Sequence, residues 1–458
     1  MRVEGEEHQT PPLELWRSIA GLLPSPPLNV SRTGPRWWWG GPLDVEGLAL
    51  GSVEAFANAL GALDPSADSA KFALDASVVA ASFGSFSHLR IDDTPCVGFA
   101  PLSGFHRTAD GWIRLHANYP HHEQALLAAL GARTTEGARQ ELTRRTSADI
   151  EAAVCAQGGL AAEVRKPHEW LASPSAAALN DTAWIEWKTS EGAPIRPHVG
   201  GKGRRPLEGV RVLDLTRVIA GPSASRLLGA LGADVLRLDP PDTPELWDHH
   251  VDTGFDKRSV VADLGDRATR ERAHSLLNEA DAVMLGYRLD GLQRFGFDAV
   301  SLRERHPHLV VVSLDAWGTK GPYAGQRGFD SIVQAATGIA HLYGQGEGDE
   351  WKPGALPVQA LDHATGLGMG AALLALLRVR TQGRSGHAHL SLARTAMELL
   401  KAAPPSGPPA PLEKVDLRRS VSSYGSLEFV PPPLTIDGTQ LEFTSMPQRY
   451  GTSTMTWR

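Results

Sequence analysis

From about residue 206 onward, short runs of consecutive aliphatic residues alternate with longer stretches in which apolar positions recur every three or four residues. VRVLDL, DVLRLD, RSVVADL, DAVMLGY and HLVVVSLDAWG read as strands, and their apolar character is too continuous for a sheet with a wet face. SASRLLGALG and ATRERAHSLLNEA carry helical spacing between them. Strands alternating with helices at this interval predict a parallel sheet covered on its faces, an α/β lobe of Rossmann-like type. Upstream, GFHRTADGWIRLHANYP predicts two paired strands around a turn at Ala109, Asp110 and Gly111, with Trp112, Ile113, Arg114, Leu115 and His116 alternating. HEQALLAALGA reads as a short amphipathic helix, ARQELTRRTSADIEAAVCAQ as one helical stretch ending near Gly158 and Gly159, and PHEWLASPSAAAL as another, with Pro167 in its first turn. Near the end, SLEFVPPPLTIDGTQLEF has hairpin character around Asp437 and Gly438. It is too small to bury a core alone, so it is expected to dock elsewhere in the chain or on a partner subunit.

The breaks between these patterns divide the chain. SEGAPIRPHVGGKGRRPLEGV is rich in Gly, Pro and basic residues and marks a connection, with a natural cut near Arg205; MELLKAAPPSGPPAPLEK leads into a Pro-rich linker. The expected organisation is therefore a smaller α+β region over 1–205, the α/β lobe over 206–400, and a linker with a return tail over 401–458. A length of 458 residues exceeds what one core usually organises, which agrees with that division. Apolar residues at 42% and charged residues at 21% describe a folded protein. A net charge of -7 with scattered Lys and Arg excludes a basic field for nucleic acid. The start, MRVEGEEHQTPPLELW, lacks an apolar signal core, and no stretch reads as the roughly 18 apolar residues that a membrane span needs. The expectation is a cytoplasmic protein without a membrane partner. Cys96 and Cys155 have no CxxC spacing and read as buried free thiols. Trp37, Trp38 and Trp39 are expected to close a core. His116, His121 and His122 lack the spacing of a metal site, so solvated or hydrogen-bonded histidines are expected there and no metal is implied.

Two places carry candidate chemistry. The loop TRVIAGP, Thr216 to Pro222, lies between the first strand of the lobe and its helix, where α/β proteins bind ligands. Its only glycine is Gly221, so the GxGxxG fingerprint of dinucleotide binding is missing, although Asp239 ends the second strand where a ribose-binding acid would stand. The second place is Asp362, after the strand-like PVQAL and before ATGLGMGAALLALL. A carboxylate at a helix start is most often only a cap. In that position the free amides and the helix dipole are also expected to hold it ionised, as a nucleophile requires. Gly366, Gly368 and Gly370 cost that helix about 1 kcal/mol each relative to Ala, which close packing or a nearby ligand would offset.

PLEGVRVLDLTRVIAGPSASRLLGALGADVLRLDPP resembles the opening of the family III CoA-transferases, the CaiB/BaiF group. The resemblance continues in order through Lys257, Arg258 and Ser259 in FDKRSVVADL, DAVMLGYRLDGLQRFGFD, GTKGPYAGQRGFDSIVQAATG and QALDHATGLGMGAALLALLRVRTQGRSGHAHLSLARTAMELL. HRTADGWIRL resembles the return strands of the family's small domain, AEVRKPHEWLASPSAAA the segment that leads back to its large lobe, and PPPLTIDG its closing stretch, so a small-domain-like segment here precedes the lobe instead of following it. The resemblance implies an α/β, Rossmann-like CoA-binding lobe with a smaller domain in an interlocked homodimer, acyl-CoA and a small carboxylic acid as substrates, and coenzyme A as the only cofactor. It implies that Asp362 becomes acylated and then carries CoA as a thioester. It also implies contacts to CoA from Val218, Ile219, Ala220, Tyr287, Arg288, Arg294, Phe295 and Arg327, with Pro240 where family members often carry an arginine. Racemases of the same fold use an aspartate with a histidine. Here the corresponding stretch is Arg327, Gly328, Phe329 and Asp330, and phenylalanine exchanges no proton. Transfer is therefore preferred over racemisation or a non-catalytic CoA-binding role.

Overall fold

The computed structural model describes residues 11–24, 27–63, 71–194 and 205–458. The first long helix, α1 (Val45–Gly61), starts where the Asp44 side chain accepts the Gly47 amide, and almost every residue along it is buried. A short strand, β1 (Phe72–Asp75), follows. The expected strand pair forms as β2 (Gly104–Arg107) and β3 (Trp112–Leu115), antiparallel with Gly104 opposite Leu115. Beside them stand α2 (Pro120–Leu130), α3 (Thr135–Arg144), α4 (Ser147–Ala156) and β4 (Ala161–Glu163), and together they enclose a core of Leu102, Ile113, Leu115, Leu126, Leu142 and Ile150. The stretch read as one helix is thus two. The Thr146 side chain accepts the Asp149 amide and caps α4, which stops α3 at Arg144.

Beyond this unit comes β5 (Glu186–Glu191), then the lobe: β6 (Arg211–Leu215), α5 (Ala220–Ala230), β7 (Asp234–Asp239), β8 (Lys257–Val261), α6 (Arg267–Glu279), β9 (Ala282–Leu285), β10 (Val310–Asp315), α7 (Asp330–Ala336), α8 (Ala360–Arg380) and β11 (Arg384–Ser391). Its sheet runs β8-β7-β6-β9-β10-β11-β5, with the first six strands parallel and β5 antiparallel at the edge. Strand order therefore reverses between β6 and β9. The strand just upstream of residue 205 completes the lobe's own sheet, and α1 packs along α8. Segments 195–204, where the sequence places a connection, lie outside the described residues.

Helix α8 is the centre of the molecule. It lies between α1, α5 and the sheet and, among the described residues, is the one helix long and apolar enough to cross a membrane, yet it is buried along its length inside the protein. The three glycines serve this packing. A Cβ at Gly366 would run into the Ala220 carbonyl of α5, one at Gly370 would lie 2.5 Å from the Phe56 ring of α1, and one at Gly368 would crowd Leu390 and Trp184. The C-terminal hairpin, Thr435–Ile436 with Thr439–Gln440, pairs with β1. The last residues bridge β8 at Val260 and Thr452 and close its open edge. Trp37 and Trp38 are buried, while Trp39 is half-buried against the core.

Candidate active site

PVQAL forms no strand; α8 begins at Ala360, so Asp362 stands in its first turn. A helix start leaves amides without intrahelical acceptors. Gln359, at the cap position, makes no side-chain hydrogen bond, and the acceptor comes from another element. Asp330, first residue of α7, accepts the Asp362 amide on Oδ2 at 3.0 Å and takes the side-chain amide of Gln334 on its other oxygen. Gln334 in turn accepts the Leu356 amide at 2.9 Å, which ties the loop before α8 to α7. The Asp362 carboxylate is left with no hydrogen bond or ion pair among the described residues.

This geometry reverses one expectation. The helix amides do not hold Asp362 ionised, because Asp330 occupies them. Burial raises the Asp362 carboxyl well above the usual carboxylate range, and the neighbouring Asp330 charge raises it further. Asp330 is also pushed up by burial, against the pull of Gln334, the amides of Asp362 and Leu361, and Arg114. Two carboxyls, 6% and 2% exposed, thus face a single site in which both cannot ionise freely.

The small α+β unit supplies the wall opposite. Arg114, on β3, is wedged between the Phe99 and Phe105 rings, 5.1 and 5.0 Å from their centroids. His116 stacks on Phe329 at 4.2 Å, and Tyr119 and His122 complete the aromatic cluster around that ring. Neither solvated nor hydrogen-bonded through Nδ1, His116 and His122 are buried. Burial lowers them to about 3 and about 2, so both stay neutral. Among the described residues no three His, Cys, Asp or Glu side chains are grouped to hold a metal.

The sheet brings several other sequence candidates to the same end of the lobe. Val218 and Ile219 follow β6, and Ala220 opens α5. Tyr287 and Arg288 follow β9, and the Gly286 and Tyr287 amides both donate to the Leu215 carbonyl, at 3.0 and 3.2 Å, so the two loops meet where strand order reverses. Val218 has a φ of +69°, an unusual conformation for a β-branched residue, and its amide donates to Glu245 at 2.8 Å. Glu245 also accepts from Arg237 at 3.1 Å and from the Tyr119 hydroxyl. Burial alone would raise its carboxyl, but Arg237 and Arg217 outweigh that and draw it down to about 2. Tyr287 spends its hydroxyl on the Leu238 carbonyl, and Asp239 is buried against Arg237 and Ser259, so neither reaches outward as a ligand group. Arg288 is exposed. Arg294 is exposed and lies over Phe295 at 4.4 Å, with Arg270 over the same ring at 5.7 Å. Arg327 donates to the Gly158 carbonyl and so ties the approach to α7 to the small unit.

The start of α5 touches the second turn of α8 through Ala220 and Gly366, and His363 bonds Ser223 at 3.1 Å. Asp362 lies one turn before Gly366 on α8, and Ala220 directly follows the loop at Val218. Glu245 lay outside every stretch that the sequence singled out; Tyr119, Asp330 and Gln334 stood inside such stretches, but nothing there marked the contacts they make.

Residues 207–407 match the profile of CoA-transferase family III. The chain is 33% identical over 206 residues to a succinate–glutarate CoA-transferase of Agrobacterium fabrum, covering 41% of this chain and 51% of that protein. It is 29% identical over 333 residues to an acyl-CoA transferase of Gibberella moniliformis, covering 68% of this chain and 58% of that one. The solved structure of Rv3272 from M. tuberculosis overlaps with 30% identity and a TM-score of 0.40 over 43% of this chain and 55% of that chain. The chain thus spans about half the length of curated relatives that it matches.

Proposed function

We propose that this chain, whose residues 207–407 belong to CoA-transferase family III, moves CoA from an acyl-CoA to a carboxylic acid with Asp362 as the covalent nucleophile. The observation that carries the reading is the Asp362 carboxyl itself: buried, without a hydrogen-bond partner among the described residues, and one helix contact from the loop at Val218, Ile219 and Ala220. Once ionised, such an oxygen is undamped by donors and strongly nucleophilic. It attacks the thioester carbonyl; a C–O bond forms, the C–S bond breaks, and CoA leaves as the thiolate, giving an acyl-aspartyl anhydride. Thiolate attack on the aspartyl carbonyl releases the first acid and leaves CoA on Asp362. The acceptor carboxylate repeats the sequence in reverse and departs as the new acyl-CoA.

The strand order β8-β7-β6-β9-β10-β11 is that of the doubly wound dinucleotide-binding lobes, and its reversal point is where such lobes take phosphate-bearing ligands, which supports a Rossmann-like site for CoA. Exposed Arg288 and Arg294 suit its phosphates. Phe329, with no exchangeable proton, supports transfer over racemisation. Succinyl-CoA and glutaryl-CoA are the first donors to try, given the name of the Agrobacterium relative. Incubation with each, followed by intact-mass measurement, is expected to show an acyl or CoA adduct that Asp362→Ala abolishes. Binding without an adduct points instead to a CoA-binding scaffold, and uptake of solvent deuterium without CoA movement to a racemase.

A further inference from the structure

We propose that Asp330 is the positioning residue of this site: it caps α8 in place of Asp362 and so leaves the Asp362 carboxylate unbonded and beside a like charge. The inference rests on the proposed role of Asp362, and it goes beyond it by assigning a second carboxylate that touches neither substrate nor CoA.

The geometry makes the assignment. A first-turn aspartate ordinarily turns back onto its own helix amides, which would satisfy the carboxylate and blunt its reactivity. Here Asp330 reaches in from α7 and takes the Asp362 amide at 3.0 Å. Gln334, one turn along α7, grips the other Asp330 oxygen and anchors the incoming loop through the Leu356 amide. Asp330 is consequently held in one orientation by two independent donors. The charged groups acting at this end of α8 are Asp330 from α7, Arg114 from β3, which acts on Asp330, and Arg226 from α5, which acts on His363. Among the described residues no cation compensates Asp362 directly. The pair therefore behaves as one titrating unit, in which an ionised Asp330 keeps the proton on Asp362 to higher pH.

Asp330→Asn separates the cap from the charge. The amide oxygen still accepts the Asp362 N–H and the like charge is gone, while the new NH2 meets the Gln334 donor and that one bond is lost. The acidic limb of adduct formation against pH, which reports ionisation of Asp362, is expected to move to lower pH, with a roughly tenfold gain in initial rate at the foot of the limb for each unit moved. Asp330→Ala removes cap and charge together; its limb should move likewise, with the plateau rate about ten- to hundredfold lower because the nucleophile is no longer held in place. A limb for Asp330→Asn that coincides with the wild type overturns the proposal. If that variant does not fold, the carboxyl 13C resonances of the wild-type protein decide: two coupled steps support the pair, and an independent Asp362 titration in the ordinary range overturns it. Absence of any adduct in the wild type at every pH would remove the transferase reading alone, since the carboxyl titration still tests the pair.

Discussion

At the scale of single residues, the site is built by competition for a few amides. Two aspartates approach the start of α8, and the one from the neighbouring helix wins the hydrogen bond. The loser is a strained group. Its carboxyl is raised above the ordinary aspartate value by burial and then by Asp330, so the folded state holds a proton there that the unfolded chain releases. Stability from this group is fully present below the ordinary value near 3.8 and is lost as pH rises toward the raised one. Asparagine at the same position does not titrate. Asp362→Asn is accordingly expected to melt higher than the wild type at pH 7 to 8, by a margin that shrinks toward pH 4, while forming no adduct; thermal melts across that range check it. Glu245 shows the opposite balance. Its two arginines outweigh burial, and the loop at Val218 is held by a carboxylate that stays charged down to about pH 2.

At the scale of elements, the decisive contact is the crossing of α5 and α8. Glycine to alanine in a helix normally stabilises by about 1 kcal/mol. At Gly366 the added methyl meets the Ala220 carbonyl, and the two helix starts would have to part. Overpacking of this kind costs about 1–3 kcal/mol, so Gly366→Ala is expected to lower stability by up to about 2 kcal/mol net and to slow adduct formation, because the first turns of the two helices shift together. Urea midpoints with single-turnover rates would show both losses; a stabilised variant with an unchanged rate would disprove the crossing. The glycine spacing was visible in the sequence, but its partner was not. Ala220 lies far away along the chain, and nothing in the pattern pairs the two helices. The split between α3 and α4 was missed for a different reason. Helical periodicity continues through Thr146, whereas a side-chain cap ends a helix locally without disturbing that period.

At the scale of the whole molecule, the N-terminal region and the lobe share structure. Strand β5 completes the lobe's sheet beside β11, α1 lies along α8, and the C-terminal hairpin returns to β1. A chain nicked between residues 194 and 205 is therefore expected to elute as one particle and to separate only in denaturant. Two independent species on size exclusion would contradict the shared core.

The alternation of aliphatic runs and helical spacing was enough to specify the parallel lobe, the β2-β3 pair and the hairpin at Asp437, because each leaves a pattern that recurs within a few residues, even where, as in the lobe, the strands it marks pair across tens of residues. Asp362 was also singled out, through its motif. What the tertiary structure alone decided is which groups meet: Asp330 over the first turn of α8, Glu245 under Val218, His116 against Phe329. These pairs are separated by tens to hundreds of residues, and the energy that joins them, a buried carboxylate finding a donor or a ring finding a face, leaves no periodic trace along the chain. The protonation of Asp362 follows from that assembly, because a helix start offers its amides to whichever acceptor the fold delivers first.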